Sequence, residues 1–186
     1  MAAFDRSARI AISVFAGFVV ASIASCHPRP ADDAFRRQYD AAVHAYEAGQ
    51  RSSAIAAYRE ALRLKPDSAA AHNNLGVALY DVGERDAAIQ EYQRALRLNA
   101  ESAEAHNNLG AAFLAGGQLA PAVGEFRTAV ALKPDFTAAR YNLCLGLELL
   151  EQVDDALTQC RAVAEEEPDR PGVAAAVTRL TQKASP

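Results

Sequence analysis

Few side chains in this sequence have the types and spacing that chemistry requires. His72 and His106 stand 34 residues apart, and imidazoles can hold zinc, but such a site takes three or four protein ligands and neither histidine has Cys or carboxylate residues at ligand spacing. They read as structural residues, and no metal and no cofactor is expected. No nucleophile is placed with a plausible base, and no glycine-rich phosphate loop or HExxH element occurs. The run Glu165-Glu166-Glu167 falls at a helix end facing water, without a pocket to shift a carboxyl pKa. The expectation is a protein that is not an enzyme. What remains is three cysteines, Cys26, Cys144 and Cys160, and two identical amide pairs, Asn73-Asn74 and Asn107-Asn108. An amide both donates and accepts hydrogen bonds, so a set of them suits an extended peptide of loosely defined sequence.

The elements that would position these groups are helical. The chain has 186 residues, room for one or two domains and not for a large multidomain enzyme. Apolar residues make up 51% but aromatics only 7%, with no Trp and with alanine in place of bulk, a composition suited to closely packed helices. With 19 basic against 23 acidic residues, no broad positive surface is available for a phosphate backbone, which argues against nucleic-acid binding.

The segment His72-Asn73-Asn74-Leu75-Gly76 recurs as His106-Asn107-Asn108-Leu109-Gly110, and the same 34-residue period divides the chain from Phe35 into four gapless units, 35–68, 69–102, 103–136 and 137–170. Each unit holds two stretches with apolar residues three and four apart, separated in the first three by Gly49, Gly83 or Gly117, which permit a tight turn. Each is therefore a helical hairpin. Small residues at unit positions 8 and 20 let its helices approach closely, and an aromatic at position 24 fills the space beside them. Proline at position 32 (Pro66, Pro134, Pro168) stops the second helix and directs the chain into the next unit. Hairpins of this kind cannot bury their faces alone and stack into a solenoid.

The ladder resembles the tetratricopeptide repeat family. The resemblance rests on Leu75-Gly76, Leu109-Gly110 and Leu143-Cys144 at positions 7 and 8, on Ala54, Ala88, Ala122 and Ala156 at position 20, on Tyr58, Tyr92 and Phe126 at position 24, and on Ala61, Ala95 and Ala129 at position 27. The family's Trp at position 4 is replaced by Gln38, His72, His106 and Arg140. The resemblance implies an all-α fold, a right-handed α-solenoid of four helix-turn-helix repeats, closed by a capping helix in residues 171–186, where Val173, Val177 and Leu180 face inward and Arg179 and Lys183 outward. It also implies a concave groove lined by the first helix of each hairpin. Position 5 then supplies Tyr39, Asn73, Asn107 and Tyr141, and position 6 supplies Asp40, Asn74, Asn108 and Asn142. Val43, Val77, Ala111 and Leu145 at position 9, with Tyr46, Tyr80 and Leu114 at position 12, add apolar contact. The asparagines either bind a partner or solvate and brace the scaffold. The Asn-rich ladder is similar to the superhelix of O-linked N-acetylglucosamine transferases, without a glycosyltransferase domain after it. Apart from Arg36 the inner positions lack the Lys and Arg with which some members clamp a C-terminal carboxylate.

At the N-terminus, Arg6 and Arg9 precede an apolar run from Ile10 to Ala24, the n-region and h-region of an export signal. Ile23-Ala24-Ser25-Cys26 resembles the lipobox of bacterial lipoproteins, which implies that residues 1–25 are removed and Cys26 carries lipid. The 15-residue run is short for a transmembrane helix, which needs about 20 residues, so a retained anchor is the lesser alternative. His27 in place of an Asp implies outer-membrane sorting. Residues 26–34 contain Pro28 and Pro30 and read as a short non-helical tether. With Cys26 assigned to lipid, Cys144 and Cys160 remain, at positions 8 and 24 of the last unit. Their midpoint lies in the hairpin turn, so the two thiols stand at the same height on antiparallel helices, either as a disulfide or as two reduced core thiols.

The expected function is that of a protein–protein interaction scaffold, lipid-anchored in the bacterial envelope and facing the periplasm, whose groove binds a segment of another protein. Lipid-anchored repeat proteins of this kind serve in assembly of channels and pili, in secretion or in β-barrel insertion. The alternatives are a self-associating structural module and a noncatalytic subunit of an envelope enzyme or polysaccharide machine.

Overall fold

A computed structural model describes residues 30–184. The proposed leader, residues 1–25, and Cys26 lie outside the described residues. Those residues form nine α-helices and no strand: α1 (Pro30–Glu47), α2 (Arg51–Leu64), α3 (Ala69–Asp81), α4 (Arg85–Leu98), α5 (Ala103–Ala115), α6 (Leu119–Leu132), α7 (Thr137–Leu149), α8 (Val153–Glu166) and α9 (Val173–Ala184). Consecutive helices pair as hairpins, α1/α2, α3/α4, α5/α6 and α7/α8, and each hairpin packs on the next through its second helix. The helix α9 packs on α8 and ends the stack. This is the α-solenoid of four tetratricopeptide-type repeats and a cap.

The hairpin turns share one hydrogen-bond pattern. The N–H at position 15 donates to the carbonyl at position 12 (Gly49 to Tyr46, Gly83 to Tyr80, Gly117 to Leu114, Glu151 to Glu148), and the next N–H reaches back five residues (Gln50 to Ala45, Glu84 to Leu79, Gln118 to Phe113, Gln152 to Leu147), all at 2.8–3.0 Å. This closure satisfies the orphan carbonyls at the helix end and needs a left-handed residue. Glycine supplies it three times, with φ of 76°, 84° and 74° at Gly49, Gly83 and Gly117, and Glu151 supplies it in the last unit with φ of 60°. Between units, Ser68 and Ser102 accept hydrogen bonds from Ala71 and Ala105 and so cap α3 and α5.

The core follows the small-residue pattern. Ala54, Ala88, Ala122 and Ala156 are fully buried, and Tyr58, Tyr92 and Phe126 are buried beside them. A methyl placed on Gly76 would stand 2.6 Å from the Tyr92 ring, and one on Gly110 would stand 2.7 Å from the Phe126 ring. At these two positions the ring occupies the volume that a side chain would take, so a larger residue requires the ring to shift. In the fourth unit Cys144 and Cys160 occupy the same two positions and form a disulfide, with Cα atoms 5.4 Å apart.

One expectation is corrected. The first helix begins at Pro30, so residues 30–34 are helical and not part of a non-helical tether. A proline is tolerated in a first turn because the N–H groups there have no intrahelical acceptor, and Asp32 and Asp33 favour the positive end of the helix. Arg179 and Lys183 of the cap are exposed, as expected, and they also reach back to α7: Arg179 forms two hydrogen bonds with the Glu148 carboxylate, at 2.6 and 2.7 Å, and Lys183 lies 3.4 Å from it.

Candidate functional site: an amide ladder beside two recesses

The first helices α1, α3, α5 and α7 bring the position-5 and position-6 side chains together, as a ladder that runs from unit to unit. Asn74 Nδ2 donates to the Tyr39 hydroxyl at 2.8 Å, Asn73 Nδ2 to Asn74 Oδ1 at 3.3 Å, and Asn108 Nδ2 to Asn73 Oδ1 at 3.1 Å. The next rung is Asn142 Nδ2 to Asn107 Oδ1 at 2.9 Å. Each cross-unit rung spans 35 residues, one period plus one, because position 6 of a unit faces position 5 of the unit before it. The ladder therefore braces the stack with one face of each amide and leaves half-buried polar atoms along the open side. Binding and bracing, alternatives in the sequence, are compatible in this geometry. Asp40 projects into solvent at the near end. Burial raises the Tyr39 phenol above its usual pKa, the Asp40 charge adds to the rise, and the hydrogen bond from Asn74 opposes it.

Beside the ladder, between the first two units, is a recess of about 260 Å³ lined by Val43, Tyr46, Glu47, Tyr58, Asn74 and Val77. Its walls are braced by contacts with neighbouring side chains. The Tyr39 ring packs edge-on against Tyr58 with centroids 5.8 Å apart, and burial pushes the Tyr58 phenol up to about 12. The Tyr46 hydroxyl donates to Asp81 at 2.7 Å, Arg51 Nε donates to the same carboxylate at 2.8 Å, and the Arg51 guanidinium lies 4.0 Å from the Tyr46 ring centre. A second recess of about 230 Å³ also borders Asn74, with Ala69, Ala70 and Ala95 in its wall beside Asn73, Asn99, Ser102 and Glu104.

The predicted groove residues do not all share this open surface. Val77 and Asn74 line the apolar recess, Tyr80 is exposed further along α3, and Asn107, Asn108 and Asn142 continue the ladder. Tyr141 is covered by its own chain: the Arg170 guanidinium lies 5.1 Å from its ring centre, and a methyl on Gly172 would meet its hydroxyl at 2.6 Å. The segment entering the cap thus closes the far end. Sequence reasoning missed Glu47 and Tyr58 as recess residues. Glu47 occupies position 13, an inner position, while Tyr58 sits at the core aromatic position and shows one edge to the recess.

The histidines hold neighbouring units together. His72 Nδ1 lies 2.6 Å from Glu91 Oε2 and its Nε2 lies 3.0 Å from the Pro66 carbonyl. His106 repeats this with Glu125 at 2.6 Å and the Ala100 carbonyl at 3.1 Å. Each imidazole joins the second helix of its own unit to the end of the previous one. A signal was present: Glu91 and Glu125 stand at position 23 in the same two units that carry His at position 4. Among the described residues no group of three or more potential metal ligands occurs, and no helix is long and apolar enough to cross a membrane.

The family model described as TPR repeat matches residues 44–83 and 78–117. Among curated proteins no sequence matches this chain significantly. Among solved structures it is similar to the MamA protein (22% identity, TM-score 0.74, covering 81% of this chain and 82% of that one). It is similar too to PilF of Pseudomonas aeruginosa (24% identity, TM-score 0.74, 83% and 71%). A third similar structure is YrrB, described as a TPR protein with an unusual peptide-binding site (23% identity, TM-score 0.70, 78% and 75%). Repeat pattern, hairpin geometry and structural likeness agree, and the described chain is an α-solenoid of tetratricopeptide repeats.

Proposed function

We propose that this protein is a noncatalytic scaffold that binds an extended segment of a partner protein along the α1, α3, α5 and α7 face, and that it does so while tethered to a bacterial envelope membrane by lipid on Cys26. The observation that carries the first part is the amide ladder from Tyr39 to Asn108, flanked by two recesses. Amides offer both donors and acceptors to a peptide backbone, and the recesses beside them take its side chains. The fold is consistent with a protein–protein interaction scaffold, and the peptide-binding site of the similar YrrB supports a peptide as ligand. The tether rests on the leader pattern and the cysteine that ends it.

The test is photo-crosslinking in membranes of the native cells from a probe at position 73, against the Asn74→Ala/Asn108→Ala protein, with melting curves to confirm that both fold. Mass spectrometry of Cys26 runs in parallel. A crosslinked partner peptide that disappears in the double variant supports groove binding. A partner retained by the variant moves binding elsewhere, and an unmodified Cys26 on a chain with its leader intact removes the lipid tether.

A further inference from the structure

We propose that the recess between α1 and α3 is an anchor for one bulky apolar side chain of the partner segment, and that the residue beside that anchor is Lys or Arg. The inference rests on the groove reading above and specifies the chemistry of its ligand.

Size comes first. At about 260 Å³ the recess lies below the usual range of small-molecule sites, and its open side faces the ladder, so it suits one large side chain on a backbone lying along the amides. Its walls are two valines, Val43 and Val77, and two tyrosines whose positions are set by Asp81 and by Tyr39. Such preformed apolar walls gain from burying an aliphatic or aromatic side chain without first reordering.

Charge is the second observation. Among the described residues Glu47 is the one charged group lining the recess, and its side chain is 68% exposed. The nearest basic side chain in contact with it is the His44 imidazole on the same helix, with Nδ1 at 3.8 Å and a side chain that is 81% exposed, a contact too loose to count as a hydrogen bond. Arg51, the closest guanidinium to the tyrosine wall, is committed to Asp81 and stacked on Tyr46. Asp40, two turns before Glu47 on α1, is exposed as well, with the exposed Arg36 a further turn away from the recess. Across Asn74, the second recess also carries a carboxylate, Glu104, and among the described residues no Lys or Arg in its wall; Lys133, just past the end of α6, reaches Glu104 at 3.4 Å. Among the described residues Glu104 is thus paired with a lysine, whereas Glu47 has no Lys or Arg bridge, so the acidic side of Asn74 is the apolar recess. An acidic partner would be repelled along this stretch, and a basic flank beside the apolar anchor meets complementary charge.

The experiment selects binders to the purified full chain from a random-peptide display library and repeats the selection on Glu47→Lys and Val77→Asp. The wild type is expected to enrich peptides with a Leu, Ile, Phe or Tyr within two positions of a Lys or Arg. Glu47→Lys, at an exposed site that leaves the fold intact, is expected to switch the flanking preference to Asp or Glu and to weaken the wild-type consensus peptide on the order of tenfold. Val77→Asp is expected to remove the apolar preference, and melting curves check that it folds. Wild-type enrichment of acidic or uncharged flanks overturns the proposal. Peptides lost in Asn74→Ala/Asn108→Ala but indifferent to Glu47→Lys also overturn it while leaving the groove reading intact. Peptides indifferent to both sets overturn the two readings together. This chain's own residues 6–24 offer the same chemistry, Arg6 and Arg9 before an apolar run. Binding seen only after residues 1–25 are removed would give the recess to that segment and overturn the partner assignment.

Discussion

The second and third hairpins and the fourth reach one backbone geometry by different means. In the former, position 8 is glycine and position 24 an aromatic ring lying where a side chain would be, at Gly76 with Tyr92 and Gly110 with Phe126. In the fourth, Cys144 and Cys160 span the same gap covalently. Position 15 is glycine in the middle units and Glu151 in the last, held at φ of 60°. Position 4 is His72 or His106 bonded to a glutamate at position 23; in the last unit it is Arg140, which donates to the Pro134 carbonyl while its buried Nε has no partner, and position 23 is Gln159. The fold demands closeness at these positions, not a residue type. The fourth hairpin has lost three noncovalent determinants, and it holds its place through a disulfide on one side and the cap's clamp on Glu148 on the other.

That contrast can be broken first in the middle of the stack. Phe126→Ala empties a fully buried site and is expected to cost about 3–5 kcal/mol, read as a loss of cooperative melting of the whole solenoid. Removing the disulfide with Cys144→Ala/Cys160→Ala opens a loop of sequence separation 16 and is expected to cost about 3 kcal/mol. Here the loss should appear in hydrogen exchange of α7 to α9 while α3 to α6 stay protected. Cys144→Gly/Cys160→Phe, which copies the third unit, should recover part of that loss; an equal or larger loss would show that the last unit cannot house the ring.

Smaller effects sharpen the comparison. Glu148→Gln breaks a half-buried clamp and is expected to cost about 1–2 kcal/mol. The hydrogen bonds from Arg179, with help from Lys183, hold the Glu148 pKa below its ordinary value of 4.5. The folded value is thus lower than the unfolded one, so the stabilisation is complete above about pH 4.5 and is lost as pH falls through the lowered folded value. The melting difference between wild type and Glu148→Gln should be constant from neutral pH to that point and vanish in stronger acid. Glu151→Gly should be the mildest change, a gain of up to about 1 kcal/mol, because relief of the left-handed cost is partly offset by the entropy of glycine. A loss on Glu151→Gly would mean that the carboxylate side chain supports the turn.

Much of this architecture was legible because a 34-residue period exposes the same physical demand four times. Ala54, Ala88, Ala122 and Ala156 at one position mark a close helix approach before any coordinates are known. The start of α1 was misread because prolines were weighed as helix breakers, whereas one at the first turn costs little. Of the site, the groove columns were visible, but Glu47, Tyr58 and the covering of Tyr141 were not. These depend on which neighbouring helix or loop passes over a side chain, and no period within one unit encodes that.

The sequence alone determined the repeat, the hairpin in each unit, the small and large positions that interlock and the shared height of Cys144 and Cys160, because these are local spacings set by helical periodicity. Only the tertiary structure decided that the amides bond across units with a step of 35, that one recess lies between α1 and α3 with Glu47 at its edge, and that the cap reaches back to Glu148. Those features arise where separate hairpins meet, and their geometry follows from the angle at which one unit stacks on the next.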